Sequence, residues 1–213
     1  MRTFLLTACP AMTLLGLFLS PIAAHAGDRE DTAYDRIDGD LSVVVGLGAT
    51  LAPRVPRPTA EIRLRYLDTI GAYCTYEDAL GIDDDPRRVF SSGLELRPLF
   101  LARWLQGHEL QIPRLDLAID SFGLELGAFF AQPDGRGFGA KDGLQAGFGL
   151  ELPLYPEANG PWVGLHVGGR WSDDLLQGGQ VVTPSDRSAY LMITLQWHAF
   201  FGAHVVDAGD IAR

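Results

Sequence analysis

Along much of this chain, apolar residues alternate with charged or small ones at every second position. The stretch AEIRLRYL, residues 60–67, is the sharpest case: Glu61, Arg63 and Arg65 interleave with Ala60, Ile62, Leu64 and Tyr66. A period of two gives a strand two unlike faces. The same pattern predicts strands over 41–51, 60–67, 71–77, 89–98, 122–130, 143–154, 162–171 and 189–199, of which GAYCTYE (71–77) alternates least clearly. Most are near the roughly 9–11 residues that cross a bilayer when tilted.

The connections fall into two classes. If the chain enters from the periplasm, the outer loops are RVPRP, DALGIDDDPR, QPDGRGFGAKD and SDDLLQGGQVVTPSDR, and the inner ones include the short LDTI and YPEANGP. Long outer loops with short inner turns are the asymmetry of outer-membrane barrels. Residues 99–121 break that rule as a long inner connection, in which LFLARWLQ has the makings of a short amphipathic helix at the membrane surface. RLDLAID (114–120) offers an alternative strand, which would make GAYCTYE the tail of the second one.

Turning AEIRLRYL so that its charges met lipid would cost about 2–4 kcal/mol for each basic residue near the midplane. The charged face is therefore expected to look inward. The same assignment gathers Glu61, Glu95, Glu125 and Glu151 with Arg63, Arg65, Arg97 and Arg170 in one lumen. Four carboxylates meet four guanidiniums, as buried charges require. The competing reading is a soluble sandwich or lipocalin-like cup with a small apolar ligand, its charges in water and its apolar face as core. Glycine weighs against it: Gly46, Gly48, Gly93, Gly123, Gly127, Gly147, Gly149, Gly164 and Gly168 share the charged face. On a solvated face Gly only weakens a strand, whereas in a narrow lumen it makes room for long Arg side chains. Tyr66, Phe90, Phe130, Trp171 and Trp197 sit on the apolar face near strand ends, as aromatic girdles do.

The ends sharpen the picture. Residues 1–26 read as a secretory signal, with Arg2, an apolar segment and the Ala24-His25-Ala26 cleavage site. Leu6–Cys9 imitates a lipoprotein box but falls too early for lipidation to be expected. Residues 27–39 and 202–213 read as polar segments flanking a barrel over 40–201. Past the signal, Cys74 is the only cysteine, so no internal disulfide is expected. The formal charge of −10 argues against a nucleic-acid partner. Every cation except Lys141 is an arginine, the residue favoured where cations pack against carboxylates. After Ala26 no run approaches the roughly 18 apolar residues of a membrane helix, so a membrane-embedded form must be a closed barrel.

On these residues the chain resembles the small eight-stranded outer-membrane barrels of Gram-negative bacteria. The last strand, AYLMITLQWHAFF, is similar to the assembly signal of that superfamily, although residues follow Phe201 where such chains often end. The resemblance makes a lipid-modifying hydrolase worth weighing, with His166 or His198 as base beside Glu151 or Ser42. A hydrolytic triad needs a nucleophile, a base and an orienting acid within reach, and no adjacent His/Ser pair is evident. GLGATL (46–51) lacks the third glycine of a dinucleotide loop. Asp83, Asp84 and Asp85 with Asp173 and Asp174 suggest a divalent cation bridging lipopolysaccharide, but calcium-loop spacing is absent and a solvated acidic loop is the reading adopted.

The expectation is thus an all-β, antiparallel eight-stranded transmembrane β-barrel with a polar, Gly-rich lumen. It is expected in the outer membrane as a monomer, with outer-membrane lipids as partners and lipopolysaccharide or an extracellular partner met through the loops. No cofactor or metal is expected. A barrel of eight strands is only wide enough to be filled by side chains, so the role expected is structural or interactive rather than that of a general porin.

Overall fold

The computed structural model describes Tyr34, Arg36 and residues 40–52, 55–82, 85–180, 183 and 186–202. The expected signal and most of the two polar flanking segments lie outside the described residues. Eight strands form one closed barrel in sequence order: β1 (Leu41–Ala52), β2 (Val55–Tyr66), β3 (Ile70–Asp78), β4 (Arg88–Leu96), β5 (Gly123–Gln132), β6 (Lys141–Pro153), β7 (Gly160–Ser172) and β8 (Arg187–Phe201). Each is antiparallel to its neighbours, and β8 closes on β1 with Val45 opposite Trp197. The near end carries the start of β1 and the finish of β8; the far end carries the β1–β2, β3–β4, β5–β6 and β7–β8 connections.

Alternation decides which way each residue faces. Along β2, Arg57, Thr59, Glu61, Arg63 and Arg65 are buried in the lumen, while Ile62 and Leu64 stand outside, about half exposed. The rest of the wall follows suit: Leu47, Leu94 and Leu195 are 61, 63 and 60 % exposed. Apolar side chains cover the outside and charges fill the inside, the reverse of a soluble cup built around an apolar ligand. Aromatics mark both ends of the wall. Phe90 stacks on Phe130 near the far end, and Trp197 stands exposed toward the near end. No helix among the described residues is long and apolar enough to cross a membrane.

Two segments depart from the expected elements. RVPRP is expected as a loop, but from Val55 onward it supplies the start of β2. The prolines misled because they cannot donate to a ladder, yet β3 pairs with β2 only from Thr59 onward. Pro56 and Pro58 thus sit where β2 has one partner, as prolines do on sheet edges. RLDLAID is not a strand: Pro113–Asp120 is a helix, α2, following the helix α1 (Leu99–Leu105) that LFLARWLQ predicts. Its Leu/Asp alternation also satisfies the four-residue helical spacing, which buries Asp116, Leu117 and Asp120 together. Pro113 at the first turn favours the helix. GAYCTYE keeps its place as β3, so the strand order through 68–121 is the first of the two alternatives.

Inside, glycine makes room for arginine at Gly123, where a Cβ would meet Glu95 and Arg97, and for tyrosine at two cross-strand pairs. Gly93 and Gly127 face each other across β4 and β5, and a Cβ on Gly127 would lie 2.8 Å from the Tyr73 hydroxyl. Gly147 and Gly168 repeat the device across β6 and β7, where a Cβ would lie 2.7 and 2.8 Å from the Tyr190 hydroxyl. Two tyrosines, rather than arginines, are seated on these cross-strand glycine pairs. Nearer the far end Val89, Phe129 and Ala131 form a small buried apolar cluster.

At the near end, α1 and α2 form a cap. Leu117 of α2 packs with Ala158 and Trp162, with Tyr34 and Phe200 against them. Ser121 locks the end of α2 to the barrel: its hydroxyl donates to the Glu151 carbonyl and accepts from the Glu151 N–H.

Candidate functional site

The lumen holds the only dense assembly of charge among the described strands, and it divides by depth. In the near half, three arginines on β2 and at the end of β4 reach across the barrel. Arg63 Nε donates to Glu61 at 2.9 Å, and its Nη1 donates to Glu95 at 3.0 Å and Glu125 at 2.6 Å. Its Nη2 lies 3.1 Å from His166 Nδ1. Arg65 spans Glu95 at 3.1 Å and Glu151 at 2.5 Å. Arg97 donates to Glu95 at 2.8 Å, to Asp68 at 3.3 Å and to Glu151. A planar fork of donors can serve several carboxylates at once, which an ammonium cannot do with the same geometry.

Both histidines belong to this assembly. His166 Nδ1 is 2.8 Å from Glu125, and Gln196 Nε2 donates to Glu61 at 2.8 Å beside it. His198 Nε2 is 3.3 Å from Glu151, and its ring stacks on Trp162 with centroids 4.4 Å apart. Neither ring has a hydroxyl among its hydrogen-bond partners, and the Ser42 hydroxyl has no partner among the described residues. Among the described residues, each histidine has carboxylate and amide neighbours as its hydrogen-bond or ion-pair partners.

The far half is built differently. Arg170, grouped by its parity with the other lumen charges, lies away from them and pairs with Glu77 through both terminal nitrogens. Arg57 Nη1 reaches the same carboxylate at 3.6 Å. Arg170 Nε donates to Gln145, which also accepts from Ser91 at 2.8 Å. The guanidinium lies 4.6 Å from the centre of the Tyr190 ring. Tyr73 joins the two halves: Arg63 lies 5.4 Å from its ring centre, and its hydroxyl accepts from Gln145 at 3.3 Å.

Glu77, Asp68 and Arg57 are the charged members that sequence reasoning missed. Glu77 shares the inward parity of Tyr73 and Thr75, a signal available once GAYCTYE is accepted as a strand. Arg57 was hidden in RVPRP, and Asp68 belongs to the β2–β3 turn, where parity says nothing.

A second assembly closes the near end. Arg36, buried, donates to Asp120 at 2.9 Å and lies 3.9 Å from the centre of the Phe100 ring. Arg103 of α1 bridges Asp116 and Asp120 of α2 at 2.5 Å each. Burial opposes the Asp116 charge, but the Leu110 N–H, Arg103 and Tyr34 outweigh it and hold the carboxyl below the usual range. Burial, aided by the neighbouring Asp116, pushes the Tyr34 phenol up to about 12.

The acidic loops give less. Asp83 and Asp84 lie outside the described residues; Asp173 accepts from Gln177, and Asp174 lies 3.6 Å from Lys141. Among the described residues no group of three or more His, Cys, Asp and Glu side chains is arranged to hold a metal ion.

No family model matches the chain, and no curated protein does. Among solved structures, the N-terminal β-barrel domain of Pseudomonas aeruginosa OprF aligns with a TM-score of 0.47 at 11 % identity, covering 76 % of this chain and 99 % of that one. Ail, the attachment invasion locus protein of Yersinia pestis, solved with the heparin analogue sucrose octasulfate, gives 0.39 at 12 % identity over 76 % and 99 %. Neisserial surface protein A gives 0.39 at 13 % identity over 74 % and 96 %. At such identities the likeness concerns fold alone. The closed ring of eight antiparallel strands itself gives this chain the architecture of the small outer-membrane barrels.

Proposed function

We propose that this protein spans the outer membrane as a monomeric barrel with a structural or surface-interaction role, its lumen shut by ion pairs rather than open as a general pore. The near end is then periplasmic and the four far-end connections are displayed outside. One observation carries the reading: within single strands, buried ion-paired Glu and Arg alternate with exposed Ile and Leu. Such a wall is unfavourable in water and favourable in lipid. Outer-membrane lipids are its surroundings, and the loops are the surface open to lipopolysaccharide or an extracellular partner.

Cell fractionation tests the proposal. The protein is expected in the outer-membrane fraction, with gel mobility that changes on heating in detergent. Recovery from the soluble periplasm without such a change would overturn it. Planar-bilayer recording tests the shut lumen, where stable, large channel openings by the native chain would remove that part of the reading.

A further inference from the structure

The wall's apolar surface does not stop where the strands do. On α2, Leu115 and Ile119 fall at i and i+4 on one side of the helix, and Phe122 follows two residues past its end. The opposite side of the helix is spoken for, since Asp116, Leu117 and Asp120 are buried against the cap and Arg103. Leu115 and the preceding Ile112 are exposed. Phe122 stacks on Phe148, an exposed residue of the outer wall on β6, with centroids 6.0 Å apart. The first turn of α2 is tied to the same strand's end, because Arg114 donates to the Leu154 carbonyl at 2.8 Å. Leu152 and Leu154 there are exposed as well. The stripe on α2 is thus a direct continuation of the lipid-facing wall, and Arg114 stands exposed at its rim.

We infer that α2 is an interfacial foot that lays Leu115, Ile119 and Phe122 into the periplasmic-leaflet phospholipids, with Arg114 at the level of their phosphates. The inference rests on the outer-membrane reading above and deepens it. An amphipathic helix lying in the interface plane gains from its buried apolar face and from attraction to anionic headgroups, and a long cationic side chain reaches the headgroups from an apolar stem. The foot fixes how deep the barrel sits. A wall alone can slide or tilt to match the bilayer, whereas a helix parallel to the surface marks one level.

The test uses the full chain with Cys9→Ser and Cys74→Ser, refolded into phosphatidylethanolamine/phosphatidylglycerol vesicles. Single cysteines placed by Leu115→Cys, Ile119→Cys, Leu195→Cys or Gln106→Cys carry an environment-sensitive fluorophore. Leu195 reports the wall, and Gln106 reports water at the exposed end of α1. Heat-modifiable mobility confirms that each labelled chain is folded. Blue-shifted emission at 115 and 119, quenched by lipids bearing a nitroxide near the headgroup, is the expected result. Water-like emission at 115 and 119, equal to that at 106, with a lipid-like signal at 195 would overturn the foot and leave the barrel standing. Water-like emission at 195 in a folded chain would overturn the membrane reading, and the foot with it.

Discussion

The two halves of the lumen are closed by different means. At the near end Arg63, Arg65 and Arg97 face Glu61, Glu95, Glu125, Glu151 and Asp68, and most of the contacts are charge-assisted hydrogen bonds. Toward the far end Arg57 and Arg170 share one carboxylate, Glu77, and the space is filled by Tyr73, Tyr190 and Phe129 seated over paired glycines or packed on neighbours. A charge cluster tolerates small shifts of backbone but not the loss of a partner. A fitted aromatic tolerates loss of its hydroxyl but not intrusion into its seat. One half is held by complementarity of charge and the other by complementarity of shape.

Arg63→Ala is expected to break the comparison most severely. It strips one guanidinium from three buried carboxylates, a change that costs about 3–5 kcal/mol when a buried charge is left unpaired. The folded, heat-modifiable band should weaken and the urea midpoint in lipid should fall. A midpoint unchanged from the native protein would show that the near half is not held by charge. Gly147→Ala comes next. Its Cβ would lie 2.7 Å from both the Tyr190 hydroxyl and the Val167 carbonyl, so overpacking should cost about 1–3 kcal/mol in the same titration. Adding Tyr190→Phe should recover part of that loss. No recovery would mean that the tyrosine does not fill the seat.

Removing hydroxyls alone sharpens the contrast within the far half. Tyr73→Phe takes away the acceptor used by Gln145 and is expected to cost about 1 kcal/mol. Tyr190→Phe removes a buried hydroxyl with no hydrogen-bond partner among the described residues, and equal or slightly higher stability is expected. If Tyr190→Phe proves the more damaging of the two, the distinction drawn between these tyrosines is wrong. The least effect in neutral buffer belongs to pH. Because the Asp116 carboxyl is held below its usual value, its contribution is complete above the ordinary Asp range of about 3.9. It is lost as pH falls through the depressed folded value. Pepsin should therefore leave the 106–112 connection intact near the top of that range and cut it at lower pH, with Asp116→Asn removing the difference.

Legibility follows the same division. Strand parity alone decides which face a residue takes, so Glu61, Arg63, Arg65, Glu95, Arg97, Glu125, Glu151 and Arg170 could be named as inward from their positions. Parity carries no information about depth. It groups Arg170 with residues that Arg170 does not touch and does not single out its partner Glu77. Asp68 lies in a turn and had no periodic signal to betray it, while Asp116 and Asp120 of the cap lie in a segment whose signal fits two kinds of element. RLDLAID shows the other failure: over so few residues a period of two and a spacing of four fit the same letters, and only Pro113 and the tertiary burial of Leu117 decide. The glycines were legible as a set on the charged face, but sequence does not tell whose side chain fills each gap.

The reach of Arg63 has a consequence for how the barrel is made. Its partners come from β2, β4, β5 and β7. In an open sheet with strands about 4.8 Å apart, β5 is three strands from β2 and β7 is five, far beyond the span of a side chain. The guanidinium can collect those partners only once the ring has shut. Glu61, on the same strand, is within reach in any sheet, whereas Glu125 and His166 come within reach only when β1 meets β8. Arg63 in effect counts the strands, keeping its full set of partners for a closed ring of eight.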